Sequence, residues 1–134
     1  MVQAREKRGA RIATIDVRGT ATTENADLAL TIKPGMDGVL FCGLLIHLAD
    51  GGFIDHAFAG AHTEGFEAAL AAARKIAPDL ATVAKKCGAA CADIAVLFDL
   101  WAATNRVVTL YSQPSSTAIL QLAASVFRAL GRFP

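Results

Sequence analysis

Residues 11–37 contain two short apolar runs, and a polar turn follows each of them. The first run, residues 11–16 (RIATID), is rich in β-branched side chains and ends in Asp16. The second run, residues 28–32 (LALTI), leads into the turn sequence KPGMD. Both runs are typical of buried strands of a parallel sheet. Ligands of open α/β sheets bind beyond the carboxyl ends of the strands, so these two turns form the predicted ligand-facing edge.

Helical patterns fill most of the remaining chain. Residues 37–50 are apolar on nearly every face, which predicts a helix packed between layers with Asp37 as its N-cap. Residues 20–27 are expected to form a turn of helix, and Thr63 is the predicted N-cap of a later helix. Further helices are predicted at residues 54–60, 64–76, 79–86, 91–103 and 117–130, and a third strand at residues 106–111.

These elements predict an α/β fold, a three-layer Rossmann-like domain with a short, mostly parallel sheet flanked by helices. We expect residues 1–134 to form a single, partial domain that lacks one βα unit at its front. The incomplete sheet leaves an edge open to pairing, and this favours self-association into a homo-oligomer.

Charge and hydropathy exclude several classes of partner. Thirteen basic and 12 acidic residues leave a net charge of +1, which indicates neither nucleic acid nor an anionic membrane surface. Although 54% of the residues are hydrophobic, no apolar run reaches the roughly 18 residues of a membrane span. The N-terminus lacks the apolar core of a signal peptide.

The three cysteines predict reduced thiols and a cytoplasmic location, because their number is odd and no export signal is found. Cys87 and Cys91 have C-x3-C spacing without a second pair, whereas zinc and iron–sulfur sites usually take four ligands. We therefore predict no metal ligands and place Cys42 in the core. His47 is predicted to lie in the core or at its rim, and the sequence indicates no catalytic residue or triad.

Six segments along the chain carry a resemblance to a known family. The segments are DVRGT at residues 16–20, ADLAL at 26–30, KPGMD at 33–37, HTEGF at 62–66, VAKKCG at 83–88 and VVTLYSQ at 107–113. In the same order, they resemble the third domain of the bis-molybdopterin-guanine-dinucleotide (bis-MGD) oxidoreductases. The resemblance is continuous from about residue 6 to residue 113, and it is greatest to assimilatory nitrate reductases, with formate dehydrogenases as close relatives.

The resemblance implies that the first turn contacts the guanosine end of the cofactor. The residues it assigns there are Asp16, Val17, Arg18, Gly19 and Thr20. A carboxylate at such a strand end commonly binds a ribose hydroxyl, which is the role expected of Asp16. This chain has Val17 and Gly19 where the family often has Pro and a second Arg. The alternative is that Asp16 and Arg18 form an ion pair on the surface.

The second turn is expected to meet the guanosine through Gly35, Met36 and Asp37. The two carboxylate oxygens of Asp37 match the N1–H and exocyclic amine of guanine. The alternative is that Asp37 serves as a helix N-cap alone. The resemblance also implies a contact from Gln113, in a loop that is shorter than its counterpart in the family.

The resemblance thus predicts a cofactor-binding domain of a molybdenum bis-MGD oxidoreductase, nitrate reductase-like and acting in nitrate assimilation. The rest of the catalytic chain would be its partner and would carry the iron–sulfur cluster, and this chain alone is expected to be inactive. Two alternatives stay open. One is an interaction module that keeps the fold without the cofactor, and the other is a general nucleotide-binding domain.

Overall fold

The computed structural model describes residues 9–109. Strands β1 (Ala13–Asp16) and β2 (Leu28–Thr31) pair in parallel, with Ala13 opposite Leu28 and Asp16 opposite Thr31. The backbone N–H of Ile32 donates to the carbonyl of Asp16 at 3.0 Å, which extends the pairing by one residue. Both strands therefore end at the same edge of the sheet.

Six helices lie in this part of the chain. They are α1 (Ala21–Glu24), α2 (Asp37–Asp50), α3 (His56–His62), α4 (Phe66–Ile76), α5 (Leu80–Cys87) and α6 (Cys91–Ala102). The predicted α/β, Rossmann-like layered fold with a parallel sheet is confirmed. The short helix between the two strands and the bounds of α2 were predicted correctly.

Helix α2 lies at the centre of the core and contacts α4, α5 and α6. Its buried side chains include four leucines, and they pack with residues of β2, α5 and α6. The largest fully buried side chains are Phe98, Leu40, Leu44, Leu45, Leu48, Ile94, Val83 and Cys87. The prediction that α2 is packed between layers is therefore correct, as is the buried position of Cys42.

The sheet differs from the prediction in two ways. Strand β1 is not fully buried, because Ala13 is exposed and the next three residues are half-buried. Within residues 9–109 its one neighbouring strand is β2, so little covers it. Residues 106–109 do not form a strand and find no partner strand in the described region, where Val108 is 77% exposed. Leu110, Tyr111, the predicted helix 117–130 and residues 1–8 lie outside that region.

Two predicted N-caps were wrong. Met36 occupies the N-cap of α2, and Asp37 is the first helical residue. Thr63 ends α3 instead of starting α4, because its hydroxyl donates to the carbonyl of Ala59 at 2.6 Å. Gly65, with φ of +73°, precedes α4 in a left-handed conformation that favours glycine. In both cases a turn ahead of the helix determined where the helix begins.

Candidate functional site

Both predicted turns leave the sheet on one side, since Asp16 and Thr31 are paired at the ends of parallel strands. We call residues 16–20 and 33–37 together the carboxyl edge. The structure thus brings together two segments that are separated by 12 intervening residues in the sequence. Of the predicted site residues, all except Gln113 lie in this edge, and Gln113 lies outside the described residues.

Asp16 organises the first turn through its own side chain. Its Oδ1 accepts hydrogen bonds from the backbone N–H of Val17 at 2.7 Å and of Arg18 at 3.4 Å. Within residues 9–109 its carboxylate forms no ion pair with the guanidinium of Arg18, so the alternative of a surface pair is not observed. One carboxylate oxygen is held by the turn, and the second is left for a ligand.

The other residues of the first turn differ in what they offer. Arg18 is exposed, and a side-chain carbon added at Gly19 would meet no atom within 4 Å. Thr20 instead caps α1, because its hydroxyl accepts from the N–H of Thr23 at 3.4 Å and lies 3.0 Å from the hydroxyl of Thr23. The first turn therefore presents a cation and a carboxylate oxygen to solvent, while the Thr20 hydroxyl shapes the backbone.

The second turn is closed by a hydrogen bond from the N–H of Met36 to the carbonyl of Lys33, at 3.2 Å. Pro34 and Gly35 occupy its central positions, and Gly35 has φ of +75°. This arrangement is typical of a type II turn, which needs a positive φ at its third residue. Gly35 is thus required by the turn geometry, while the space beside it is open.

Residue Cys87, the last of α5, attaches this turn to the core. Its carbonyl accepts from the N–H of Lys33 at 2.8 Å, and its Sγ donates to the carbonyl of Met36 at 3.7 Å. Burial raises the pKa of the Cys87 thiol, so the thiol stays protonated and keeps its donor hydrogen at neutral pH. Sequence reasoning placed Cys87 only at a helix junction and missed this contact across 51 residues.

Asp37 begins α2 at the carboxyl edge. Its carboxylate is half-buried and accepts no hydrogen bond from any residue between 9 and 109. The first N–H groups of a helix lack partners within the helix, and a carboxylate at this position is favoured by the helix dipole. Because Asp37 is not the N-cap, both of its oxygens are available to a ligand.

Chemically, the carboxyl edge is a set of hydrogen-bonding and charged groups that face solvent. It offers the carboxylates of Asp16 and Asp37, the guanidinium of Arg18 and the ammonium of Lys33. It holds no cysteine thiol or histidine that would act as a nucleophile or general base. Across residues 9–109, no group of three or more His, Cys, Asp or Glu side chains is arranged to hold a metal ion. These groups can accept hydrogen bonds from the donors of a polar ligand through the carboxylates and can pair with an anionic group through the two cations.

A separate cavity of about 430 Å³ lies at the opposite end of α2. It is lined by the last turns of α2, the start of α5 and part of α6, and it includes neither turn of the carboxyl edge. His47 lies at its rim, and its Nε2 is 3.2 Å from Oδ1 of Asp99. His47 is half-buried, as expected, but its partner lies 52 residues away and was not predictable from a local pattern.

Comparison with known proteins gives several relatives, although no protein-family model matches the chain. The nitrate reductase of Shewanella frigidimarina is 41% identical over 100 residues, which cover 75% of this chain and 11% of that protein. The assimilatory nitrate reductase catalytic subunit of Bacillus subtilis is 45% identical over 62 residues, 46% of this chain and 9% of that protein. The F420-dependent formate dehydrogenase subunit alpha of Methanocaldococcus jannaschii is 35% identical over 66% of this chain and 13% of its own length.

A solved structure has the same fold. Acetylene hydratase from Pelobacter acetylenicus superposes with a TM-score of 0.85 over 98% of this chain and 19% of its own, at 23% identity. The chain thus spans about a tenth of the length of the nitrate reductases that it matches. The family resemblance indicated by the six sequence segments is confirmed.

Proposed function

Because this chain is related to nitrate reductases and formate dehydrogenases of the molybdopterin oxidoreductase family, we propose that it is a cofactor-binding domain of such an enzyme. In this proposal residues 1–134 form one partial domain that holds the guanosine end of Mo-bis-MGD. The observation that carries it is the carboxyl edge, where two turns that offer carboxylate oxygens and a guanidinium leave a parallel sheet side by side.

The groups of this edge fit a guanosine. The Asp37 carboxylate matches the paired N1–H and amine donors of guanine, and it has no competing partner within residues 9–109. Asp16 has one oxygen for a ribose hydroxyl, and Arg18 lies exposed in the same turn. In this proposal Val17, Gly19, Gly35 and Met36 would contact the guanosine through their backbones, and Thr20 supports the first turn through its cap.

These groups indicate which part of the reaction the cofactor would supply and which part the protein would supply. The bound cofactor would supply the oxygen-atom chemistry at its molybdenum, and the protein would position it. The described residues contribute binding and orientation, with no proton transfer assigned to any of them. Gln113 lies outside the described residues, so its contact with the cofactor stays a prediction from the sequence resemblance. We place the iron–sulfur cluster of the enzyme in the rest of the catalytic chain.

The test is a calorimetric titration of the 134-residue chain with GMP, with AMP as the control ligand. We expect saturable binding of GMP and little binding of AMP, whose base edge lacks the paired donors. Replacing Asp37 by Asn should weaken GMP binding about ten- to a hundredfold, since a hydrogen bond to a charged group contributes roughly 1.5–3 kcal/mol. Asp16→Asn should weaken it less.

The matched control is Asp93→Asn, an exposed aspartate in the first turn of α6 and outside the carboxyl edge. It makes the same charge change at another helix start and should leave GMP binding unaltered. Equal affinity for GMP and AMP would instead support the general nucleotide-binding domain. Absence of binding to either nucleotide would contradict the proposal that this chain holds a guanosine site.

A second candidate function is an interaction module without cofactor. It is favoured by the first turn, where Val17 is 48% exposed and the Thr20 hydroxyl is engaged in a helix cap. Both features reduce the number of ligand-facing polar groups. In that case the edge would pack against a protein surface, and Val17→Ser would weaken association with the partner chain while nucleotide binding stays absent.

The partner in the main proposal is the remainder of the oxidoreductase chain. Among residues 9–109 no helix is long and apolar enough to cross a membrane. The three cysteines form no disulfide, and a cytoplasmic location and a role in nitrate assimilation stay predictions. Self-association through an open sheet edge also stays a prediction, which sedimentation over a range of protein concentrations would check.

A further inference from the structure

The side chain of Lys33 is held against the end of α5. Gly88 follows α5 in a left-handed conformation, with φ of +72°. A side-chain carbon added at Gly88 would lie 2.7 Å from Cε, 3.1 Å from Cγ and 3.2 Å from Cδ of Lys33. The aliphatic stem of Lys33 therefore lies directly across the glycine, in space that any other residue would fill.

The backbone of Lys33 is fixed as well. Its N–H donates to the carbonyl of Cys87 at 2.8 Å, and its own carbonyl accepts from Met36 at 3.2 Å. The thiol of Cys87 holds the carbonyl of Met36 at the other end of the turn. Because the backbone of Lys33 is held by these bonds and its stem lies over Gly88, we expect less side-chain entropy to be lost on ligand binding than for a lysine whose stem is free in solvent.

The charge of Lys33 is uncompensated by the residues around it. Lys33 is exposed, and no carboxylate within residues 9–109 forms an ion pair with it. It lies two residues after the end of β2, three residues before Met36 and four before Asp37, so it belongs to the same edge as the proposed guanine contact. A restrained cation without a counter-ion beside a nucleotide site is suited to a phosphate.

We propose that Lys33, held across Gly88, binds the phosphate of the nucleotide end of the cofactor. This inference rests on the proposed function, because it assigns a further ligand group to the same site. Asp37 then recognises the base and Lys33 binds the phosphate. Replacing Asp37 should change the preference for GMP over AMP, and replacing Lys33 should change the preference for GMP over guanosine. Gly88 and Cys87 are positioning residues in this scheme.

The experiment compares GMP with guanosine, which differ only in the phosphate. Wild-type chain should bind GMP about tenfold more tightly than guanosine, and Lys33→Gln should reduce this ratio to near one while leaving guanosine affinity unaltered. Lys33→Arg keeps the cation and should retain most of the ratio. Raising the salt concentration should weaken GMP binding to wild type and have little effect on Lys33→Gln, since salt screens exposed charges.

The matched control is Lys75→Gln, which removes an exposed lysine from the last turn of α4. It should leave the GMP-to-guanosine ratio as in wild type. If Lys33→Gln keeps the full ratio while guanosine still binds, the phosphate assignment is wrong and the guanosine site stands. If wild-type chain binds neither guanosine nor GMP, the proposed function itself fails.

Discussion

At the scale of single residues, several polar side chains of this protein serve to shape turns. The carboxylate of Asp16 accepts from two N–H groups of its own turn, and the hydroxyl of Thr20 caps α1. Asp79 does the same at α5, where its Oδ1 accepts from the N–H of Thr82 at 2.6 Å. The residue type therefore indicates which donor and acceptor atoms a side chain has. Its hydrogen bonds within the protein decide how many of those atoms are left to bind a ligand.

The cap at Asp79 predicts a pH-dependent contribution to stability. Its hydrogen bond with the N–H of Thr82 lowers the pKa of Asp79. A carboxyl with a lowered folded-state pKa stabilises the fold above its unfolded pKa of about 3.9, and this contribution is lost as the pH falls through the folded value. Asp79→Ala should lower the Tm at pH 7, and the difference from wild type should shrink below about pH 4.

Asp79→Asn is the control, because asparagine caps a helix as well as aspartate does and does not titrate. It should match wild type near pH 7 and exceed it in acid. Thermal denaturation followed by circular dichroism between pH 3 and pH 7 measures all three proteins. A Tm difference between wild type and Asp79→Ala that stays constant across this range would contradict the assignment.

At the scale of elements, the approach of α5 to α2 depends on Gly43. A side-chain carbon there would lie 2.5 Å from Cγ2 of Val83 and 3.3 Å from Cζ of Phe98, both of which are buried. Glycine within a helix is unfavourable by itself, by about 1 kcal/mol relative to alanine. Its presence in the middle of α2 is therefore explained by the close contact between the helices.

Replacement of Gly43 by Ala should destabilise the protein. Overpacking in a core costs about 1–3 kcal/mol, which exceeds or offsets the gain in helix propensity. Gly60 in α3 is the matched control, because an added carbon there meets no atom within 4 Å. Gly60→Ala should be neutral or stabilising by up to about 1 kcal/mol.

Urea denaturation of the two variants gives the comparison directly. The double variant Gly43→Ala with Val83→Ala should be destabilised by less than the sum of the two single variants, because the valine carbon that the added methyl group would meet has been removed. Equal stability of Gly43→Ala and Gly60→Ala would mean that α2 and α5 tolerate a wider separation than the structure shows.

At the scale of the whole molecule, the proposed binding edge belongs to a chain that is much shorter than the relatives it matches. The chain matches about 11% of the length of the Shewanella frigidimarina nitrate reductase. We therefore predict no turnover of nitrate by the isolated chain, even with a reduced viologen dye as electron donor. The positive control is a full-length nitrate reductase under the same conditions, and measurable turnover by this chain would contradict the prediction.

The sequence by itself determined the two paired strands and the α/β class, and it located the two turns of the carboxyl edge, whereas the third strand predicted at residues 106–111 is not formed over residues 106–109. This was possible because β-branched runs, glycine turns and the continuous apolar pattern of α2 are local signals. The N-caps assigned to Asp37 and Thr63 were wrong, since turn hydrogen bonds to Lys33 and Ala59 override the preference of a side chain for a cap.

Only the tertiary structure decided how the edge is supported. The contact of Cys87 with the turn at Met36 joins residues 51 positions apart, and the Lys33 stem lies on Gly88 across 55 positions. No periodicity of a single strand or helix encodes such contacts, because they follow from how α5 packs against α2 and how its end meets the turn after β2. The local sequence therefore specifies which chemical groups the edge contains, while the packing of distant elements positions the turn that carries them.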